Sequence, residues 1–417
     1  MLAGILPGLA GALVLATVQP APPASLSDAL EAGTPQAFSR ALESGLDAPH
    51  ARLATGLNAA LSGMDDLAAE QLGIAMTDAG LEPALQRRAA EALAGVMLRR
   101  EDFDAAARAF DRAGEIEPLE AGAAQARAFV EPLRGLPRIS RGALEPACVP
   151  VTRDLAGLPR ADLTFGALTQ DAIVDTGAAF STVTASTAER LGIRAIEGRV
   201  SVGAAAVDAL ESGLGIADTL EIGGVRFSNV VFIILPDEAL SFAGGQYTIE
   251  MILGIPVLMR LERLDFEHGE TGGTLCFEPS AGPGAGESNL YLQGLAPIVL
   301  AQAEGADSPL HLLLDTGAQT TNLSLSALER LPGLAASGEA GEAVLGGAGG
   351  MGSDAQAVRL SALTLIIGAR RITLEDVMAL SQGTAGRRDG ILGQDVLSSV
   401  RGWRIDFPAL TLELAGG

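Results

Sequence analysis

The sequence predicts a multidomain protein in which an all-α N-terminal domain precedes a larger all-β region. Residues 25–130 are rich in Ala, Leu, Glu and Arg, and their apolar positions recur at helical spacing. The all-β region contains the tetrapeptide Asp-Thr-Gly-Ala twice, at residues 175–178 and 315–318, each time directly after an apolar run typical of a buried strand. With 417 residues, the chain is too long for a single hydrophobic core.

The two tetrapeptides belong to a long internal repeat. They are offset by 315 − 175 = 140 residues, and the same offset aligns Glu-Arg-Leu at 189–191 with Glu-Arg-Leu at 329–331. The matching register therefore extends well beyond the tetrapeptides. A repeat of this length predicts two copies of one small domain.

The two aspartates indicate the chemistry. Asp175 and Asp315 each stand at the end of an apolar strand and before a small turn, which would hold a carboxylate in a fixed and partly desolvated place. Two such carboxylates, brought together, can share one proton and hold a water molecule between them. This arrangement can carry out general acid–base hydrolysis of a peptide bond.

Each half of the all-β region resembles a retropepsin-type aspartic protease subunit. The resemblance covers residues 148–417 and rests on five features in the same order in both halves: an apolar strand, Asp-Thr-Gly-Ala, a strand with Ser or Thr, a flap, and Ile-Leu-Gly. Fused in tandem, the halves are similar to a bilobed, pepsin-like enzyme. The resemblance implies an aspartic-type endopeptidase that cuts peptide or protein substrates, needs neither a cofactor nor a metal, and is active as a monomer.

The resemblance also implies roles for individual residues. The catalytic pair would be Asp175 and Asp315, and their loops would be locked together by Thr176, Gly177, Thr316 and Gly317. The segments that support the loops would be Ile252, Leu253, Gly254, Ile391, Leu392 and Gly393. Flaps over the substrate would contain Val202, Gly203 and Ala204 in the first half and Gly346, Gly347, Gly349 and Gly350 in the second. Glycines let a hairpin tip bend, so the second flap is expected to be the more mobile one.

Composition also predicts the domain boundaries. The segments are an apolar N-terminal segment (1–24), a helical domain (25–131), a linker (132–147), a first lobe (148–278), an interlobe linker (279–289) and a second lobe (290–417).

Within the helical domain, the segment from Asp65 to Pro83 resembles the segment from Glu101 to Pro118 at a period near 35, which is typical of tetratricopeptide repeats. A plain helical bundle is the alternative. Such a domain would bind a protein partner or brace the protease.

The N-terminal segment indicates export. No charged residue precedes Asp28, and the apolar stretch ends in a Pro-rich run at 20–24. We interpret it as a secretory signal peptide or a short membrane anchor, although it lacks the usual basic residue, and an ordinary buried helix is the alternative. The expected location is the periplasm, or the outer side of a membrane. The formal net charge of −23 argues against binding to nucleic acids or to anionic membrane surfaces, because both would repel the chain.

The chain contains two cysteines, Cys148 and Cys276, one at each end of the first lobe. In an exported protein they could form a disulfide, whereas in a cytosolic protein they would be two buried thiols. Two other functions also stay open. The protease fold could serve as a peptide-binding or scaffold module without catalysis, or the helical domain could be the functional part and recruit a partner.

Overall fold

The computed structural model describes residues 25–204, 207–282, 288–347, 350–354, 356–381 and 388–416. An N-terminal helical region precedes two β-barrel lobes, so the predicted fold class is confirmed. The predicted signal peptide or anchor, residues 1–24, lies outside the described residues. Within the described ranges, no helix combines the length and the apolar character needed to cross a bilayer.

The helical region consists of seven α-helices that pack on one another in sequence. They are α1 (Leu26–Ala32), α2 (Pro35–Glu43), α3 (Ala48–Leu61), α4 (Asp65–Ala75), α5 (Pro83–Arg99), α6 (Phe103–Ile116) and α7 (Ala121–Val130). Several start where a side-chain oxygen accepts a hydrogen bond from a first-turn backbone N–H, as at Ser25, Thr34, Asp47 and Asp102. Helices α3 and α5 begin 83 − 48 = 35 residues apart. The tetratricopeptide assignment itself stays a prediction.

The first lobe is a barrel closed by pairing between its third and seventh strands. Its strands are β1 (Ser140–Arg141), β2 (Ala147–Arg153), β3 (Pro159–Phe165), β4 (Leu168–Val174), β5 (Ser181–Thr184), β6 (Arg194–Ala204), β7 (Val207–Ile222), β8 (Val225–Leu235), β9 (Ser241–Phe242), β10 (Tyr247–Thr248), β11 (Met251–Leu253), β12 (Arg263–His268) and β13 (Gly272–Glu278), with helices α8 (Ala185–Leu191) and α9 (Ile255–Leu258). Strand β1 lies within the predicted linker 132–147 and pairs with β8. The division of the chain into domains stays a prediction.

The second lobe repeats this plan and closes through β15 and β21. Its strands are β14 (Leu290–Gln293), β15 (Ala296–Ala303), β16 (Leu310–Leu314), β17 (Asn322–Ser324), β18 (Glu339–Ala340), β19 (Ala343–Gly347), β20 (Gly350–Asp354), β21 (Val358–Ile367), β22 (Arg370–Leu380), β23 (Gly390–Leu392), β24 (Gly402–Asp406) and β25 (Thr411–Leu414), with helices α10 (Leu325–Leu328), α11 (Pro332–Ser337) and α12 (Gln394–Leu397). Strand β24 pairs with β12, so the two lobes share a sheet.

This shared sheet joins the hydrophobic cores of the lobes. Strands β25, β24, β12 and β13 run side by side, and the buried Trp403 of the second lobe stacks on Phe266 of the first, with ring centroids 5.1 Å apart. Strand β13 also pairs with β2, where Cys276 lies opposite Cys148 and forms a disulfide with it. The two lobes therefore form one continuous body.

The helical region packs against both lobes. In the first lobe, the Phe129 ring of α7 lies 4.7 Å from the ring of Phe180, which follows the first Asp-Thr-Gly-Ala segment. In the second lobe, the carbonyl of Gly294 accepts a 2.6 Å hydrogen bond from the buried guanidinium of Arg99, which is also paired with Asp65. The helices are thus fixed to both lobes through apolar and polar contacts.

Candidate active site

Two equivalent loops carry the predicted catalytic aspartates. Strands β4 and β16 each end at the residue before the Asp, and a short strand runs parallel to each of them: β11 beside β4 and β23 beside β16. The backbone N–H of Asp175 donates to the Leu253 carbonyl at 3.0 Å, and that of Asp315 donates to the Leu392 carbonyl at 3.1 Å. Each loop is therefore fixed to a short parallel strand, β11 in the first lobe and β23 in the second.

The two Ile-Leu-Gly segments can lie so close to the loops because they end in glycine. A Cβ atom at Gly254 would stand 2.6 Å from the Phe180 carbonyl carbon, and one at Gly393 would stand 2.7 Å from that of Thr320. Cβ atoms in proteins essentially never make nonbonded contacts this short, so no residue with a Cβ atom fits at either position. Preceding residues Ile252 and Ile391 pair in register with apolar residues of β4 and β16.

Two threonines link the loops across the lobe interface. The Thr176 hydroxyl donates to the Leu314 carbonyl at 2.6 Å, and the Thr316 hydroxyl donates to the Val174 carbonyl at 2.6 Å. Each hydroxyl also accepts from the other threonine's backbone N–H, at 3.1 and 3.0 Å. All four bonds are buried, so separating the lobes would leave several polar groups unpaired.

The glycines of the two loops face the opposing carboxyl groups. A Cβ atom at Gly177 would stand 2.4 Å from the Asp315 carboxyl carbon, and one at Gly317 would stand 2.4 Å from that of Asp175. Each loop therefore packs its backbone directly against the other aspartate. The arrangement brings the two carboxylates together across the interface.

Hydrogen bonds hold each carboxylate at its own loop. Oδ1 of Asp175 accepts from the backbone N–H groups of Gly177 and Ala178, at 2.8 and 3.1 Å, and Oδ1 of Asp315 accepts from Gly317 N–H at 2.9 Å. These bonds favour the charged form of a carboxylate, but they do not compensate for its burial.

Burial raises the pKa of both aspartates. It raises the pKa of Asp315 well above its ordinary value, and the adjacent negative charge of Asp175 raises it further. Two adjacent carboxyl groups resist being ionised at the same time. The pair therefore holds a proton at a pH where isolated carboxyl groups are ionised. The site therefore offers one acid and one base side by side.

The described residues of both predicted flaps lie on antiparallel hairpin strands. Val202, Gly203 and Ala204 form the end of β6, which pairs with β7, and Gly346 and Gly347 form the end of β19. Strand β19 pairs with β20, whose first residue is Gly350. The predicted flap residue Gly349 lies outside the described residues. The prediction that the second flap is the more mobile one stays a prediction.

The sequence did not reveal two polar residues beside the second loop, Arg153 and Gln394. Gln394 follows the second Ile-Leu-Gly segment, and its side-chain amide donates to the Thr316 carbonyl at 2.8 Å. Arg153, from β2 of the first lobe, donates to Gln394 Oε1 at 3.1 Å. One difference between the two sequence copies could have drawn attention to Gln394: the first copy has an apolar residue, Ile255, at the equivalent position.

Among the described residues, no three His, Cys, Asp or Glu side chains come together in a group that could hold a metal ion.

Comparison with known proteins finds a similarity in each of the two lobes. A family model described as aspartyl protease matches residues 161–257 and again residues 301–396. A crystal structure of a retropepsin-like aspartic protease from Rickettsia conorii is similar to part of the chain: it is 17% identical, covers 33% of this chain and 98% of that chain, and has a TM-score of 0.23. No curated protein matches the chain in sequence.

The close approach of Gly177 to Asp315 can be tested by adding one methyl group. We expect Gly177→Ala to lower the free energy of unfolding by about 3 kcal/mol, because the new Cβ atom forces the two loops apart. Urea unfolding measures this change in the free energy of unfolding. It is followed through the fluorescence of Trp403, the single tryptophan, which lies in the shared sheet.

Gly213→Ala in β7 is the matched control. Its Cβ atom would meet Ile234 at an ordinary 3.6 Å, so we expect a change below about 1 kcal/mol. Equal unfolding curves for the two variants would contradict the packing described for the loops.

Proposed function

Because both lobes of this chain match the aspartyl protease family, we propose that the protein is an aspartic endopeptidase whose catalytic pair is Asp175 and Asp315. The observation that carries the proposal is the apposition of two buried carboxyl groups, each packed against the other loop's glycine. Both aspartates belong to one chain, so catalysis would need no second copy.

In the proposed mechanism, the two carboxyl groups share one proton and hold a water molecule between them. The ionised carboxylate takes a proton from the water, which attacks the carbonyl carbon of the peptide bond. The protonated carboxyl group stabilises the developing oxyanion and then helps to protonate the leaving amine. The raised pKa of Asp315 supports its role as the protonated member at the start of this cycle.

Apolar residues beside the catalytic pair support a peptide as the substrate. Ile173 and Ile252 pair in the first lobe, and Leu313 and Ile391 pair in the second. They lie outside the main core, in separate clusters, whereas their neighbours in β4 and β16 belong to that core. Ile173 and Leu313 are buried, and we propose that the partly exposed Ile252 and Ile391 contact apolar side chains on either side of the bond that is cut.

The test of this function is hydrolysis of a diverse peptide pool by the full chain, from acidic to neutral pH. We expect Asp175→Asn and Asp315→Asn each to lower the rate by at least about 100-fold, because neither variant can form a pair that shares a proton. Asp218→Asn, which alters an exposed carboxylate of β7 paired with Arg194, is the control and should cut at the normal rate.

Undiminished hydrolysis by Asp315→Asn would disprove the proposed mechanism. A chain that binds peptides from the pool but leaves them intact would instead indicate the non-catalytic peptide-binding module.

The raised pKa of Asp315 also predicts how stability depends on pH. A carboxyl group whose pKa is higher in the folded state contributes stability that is complete below its unfolded pKa and is lost as the pH rises through its folded pKa. The ordinary value is 3.8. We therefore expect Asp315→Asn to be more stable than the wild type at pH 7, with a difference that closes as the pH falls toward 3.8.

Thermal unfolding at a series of pH values measures this difference. A constant difference between the two proteins at every pH would show that Asp315 keeps its ordinary pKa in the folded chain.

We also propose that the protein is exported, and two observations support this. Residues 1–24 have the apolar character of a signal or anchor, and Cys148 forms a disulfide with Cys276, a bond that persists in oxidising compartments. We expect digestion of the native protein without reductant to yield a Cys148–Cys276 cross-linked peptide that separates on reduction, as measured by mass spectrometry. Two alkylatable thiols in the native protein would contradict the proposal.

A further inference from the structure

The two catalytic loops differ in what lies behind them. In both lobes the residue after the Ile-Leu-Gly segment begins a short helix, α9 or α12. In the first lobe this residue is Ile255, which is fully buried and has no polar side-chain atom. In the second lobe it is Gln394, which is 5% exposed and has both an amide donor and an amide acceptor. A buried amide needs partners, and Gln394 finds them on both sides.

A continuous line of hydrogen bonds leads from Arg153 to Asp315. The Arg153 Nη1 donates to Gln394 Oε1 at 3.1 Å, and Gln394 Nε2 donates to the Thr316 carbonyl at 2.8 Å. That carbonyl shares its peptide group with the N–H of Gly317, which donates to Asp315 Oδ1 at 2.9 Å. A guanidinium can only donate and a carbonyl can only accept, so these partners fix the orientation of the amide.

Arg153 is itself held in place by first-lobe residues and by the shared sheet. Its guanidinium donates to the Gly157 carbonyl and to Nδ1 of His268 at 3.2 Å, and it lies over the Phe266 ring, 5.8 Å from the centroid. The other ring nitrogen of His268 donates to the Leu397 carbonyl at 2.9 Å. The imidazole must therefore be neutral, and burial lowers the pKa of His268 and favours that form.

We propose that Arg153 is a positioning residue that acts on Asp315 through Gln394 and the Thr316–Gly317 peptide group. Each bond in the line polarises the next, so the positive charge of Arg153 makes the Gly317 N–H a stronger donor to the carboxylate. The same contacts fix the second loop from the opposite lobe. The catalytic consequence of this relay rests on the proposed function, whereas its electrostatic effect does not.

The relay would make the two aspartates unequal. A stronger donor at Oδ1 favours the charged form of Asp315, which opposes the effects of burial and of the neighbouring Asp175 charge. The position equivalent to Gln394 in the first lobe is apolar, so Asp175 receives no such contribution from Ile255. The pair would therefore share its proton differently from a symmetric pair.

The experiment measures the titration of the aspartate carboxyl groups by carbon-13 NMR in the full chain, with Asp315→Asn used to assign the resonance. Two variants interrupt the relay at different points: Arg153→Gln removes the charge, and Gln394→Met removes the amide without any change of charge. We expect each to raise the titration midpoint of Asp315 by roughly 0.2 to 0.7 pH units. The double variant should shift it no further than Gln394→Met alone, because without the Gln394 amide Arg153 has no hydrogen-bonded route to the second loop.

Arg404→Gln is the control for the loss of a positive charge. Arg404 lies on β24 in the same shared sheet, and its side chain pairs with Asp265 and Glu413 rather than with the catalytic loop. An equal shift in Arg404→Gln and Arg153→Gln, or an unchanged midpoint in Gln394→Met, would overturn the proposal.

Peptide hydrolysis gives a separate readout. Where the wild type cuts peptides, the pH–rate profiles of Arg153→Gln and Gln394→Met should move toward higher pH, and a lower rate with an unmoved profile would indicate a merely structural role. If the wild type cuts nothing in the pool, the proposed function fails, whereas the NMR midpoints still decide whether the relay exists.

Discussion

The reciprocal hydrogen bonds between Thr176 and Thr316 are the contact on which the rest of the structure depends. Each hydroxyl donates to a strand carbonyl of the other lobe and accepts from the other loop, so the two loops cannot shift independently. Because the four bonds are buried, moving the loops apart would leave their donors and acceptors without partners. The glycines at 177 and 317 follow from this closeness, since a side chain there would collide with the carboxyl atoms of the opposing loop, whereas those at 254 and 393 let each Ile-Leu-Gly segment lie against the loop of its own lobe.

This closeness has an electrostatic cost. Burial raises the pKa of both aspartates, and the negative charge of Asp175 raises the pKa of Asp315 further. The shared β24–β12 sheet and the aromatic stack of Trp403 on Phe266 hold the two lobes together around this pair. A pair of buried carboxyl groups needs a rigid surrounding structure, because each group is held where its charged form is disfavoured.

The sequence predicted the local parts of this arrangement and missed the long-range ones. An apolar run followed by Asp-Thr-Gly-Ala is recognisable within a few residues, its repetition predicted two copies of one small domain, and the family resemblance implied that Asp175 and Asp315 meet. The Arg153–Gln394 contact joins residues 241 positions apart in different lobes, and the Arg99–Gly294 contact joins residues 195 positions apart. Such pairs depend on how folded domains pack against each other, and a local sequence pattern does not predict that packing.

A fused pair of lobes can assign different surroundings to its two aspartates, which a symmetric dimer cannot. In a dimer of identical chains, a glutamine behind one catalytic loop would also stand behind the other. Here Gln394 supports the second loop, while Ile255 fills the equivalent space behind the first. The carboxyl group that forms a more stable anion is the better candidate for taking a proton from water at the pH where the pair holds one proton. Burial and the charge of Asp175 raise the pKa of Asp315, and the polarised Gly317 N–H would lower it, so the relay would limit how strongly the shared proton stays on Asp315.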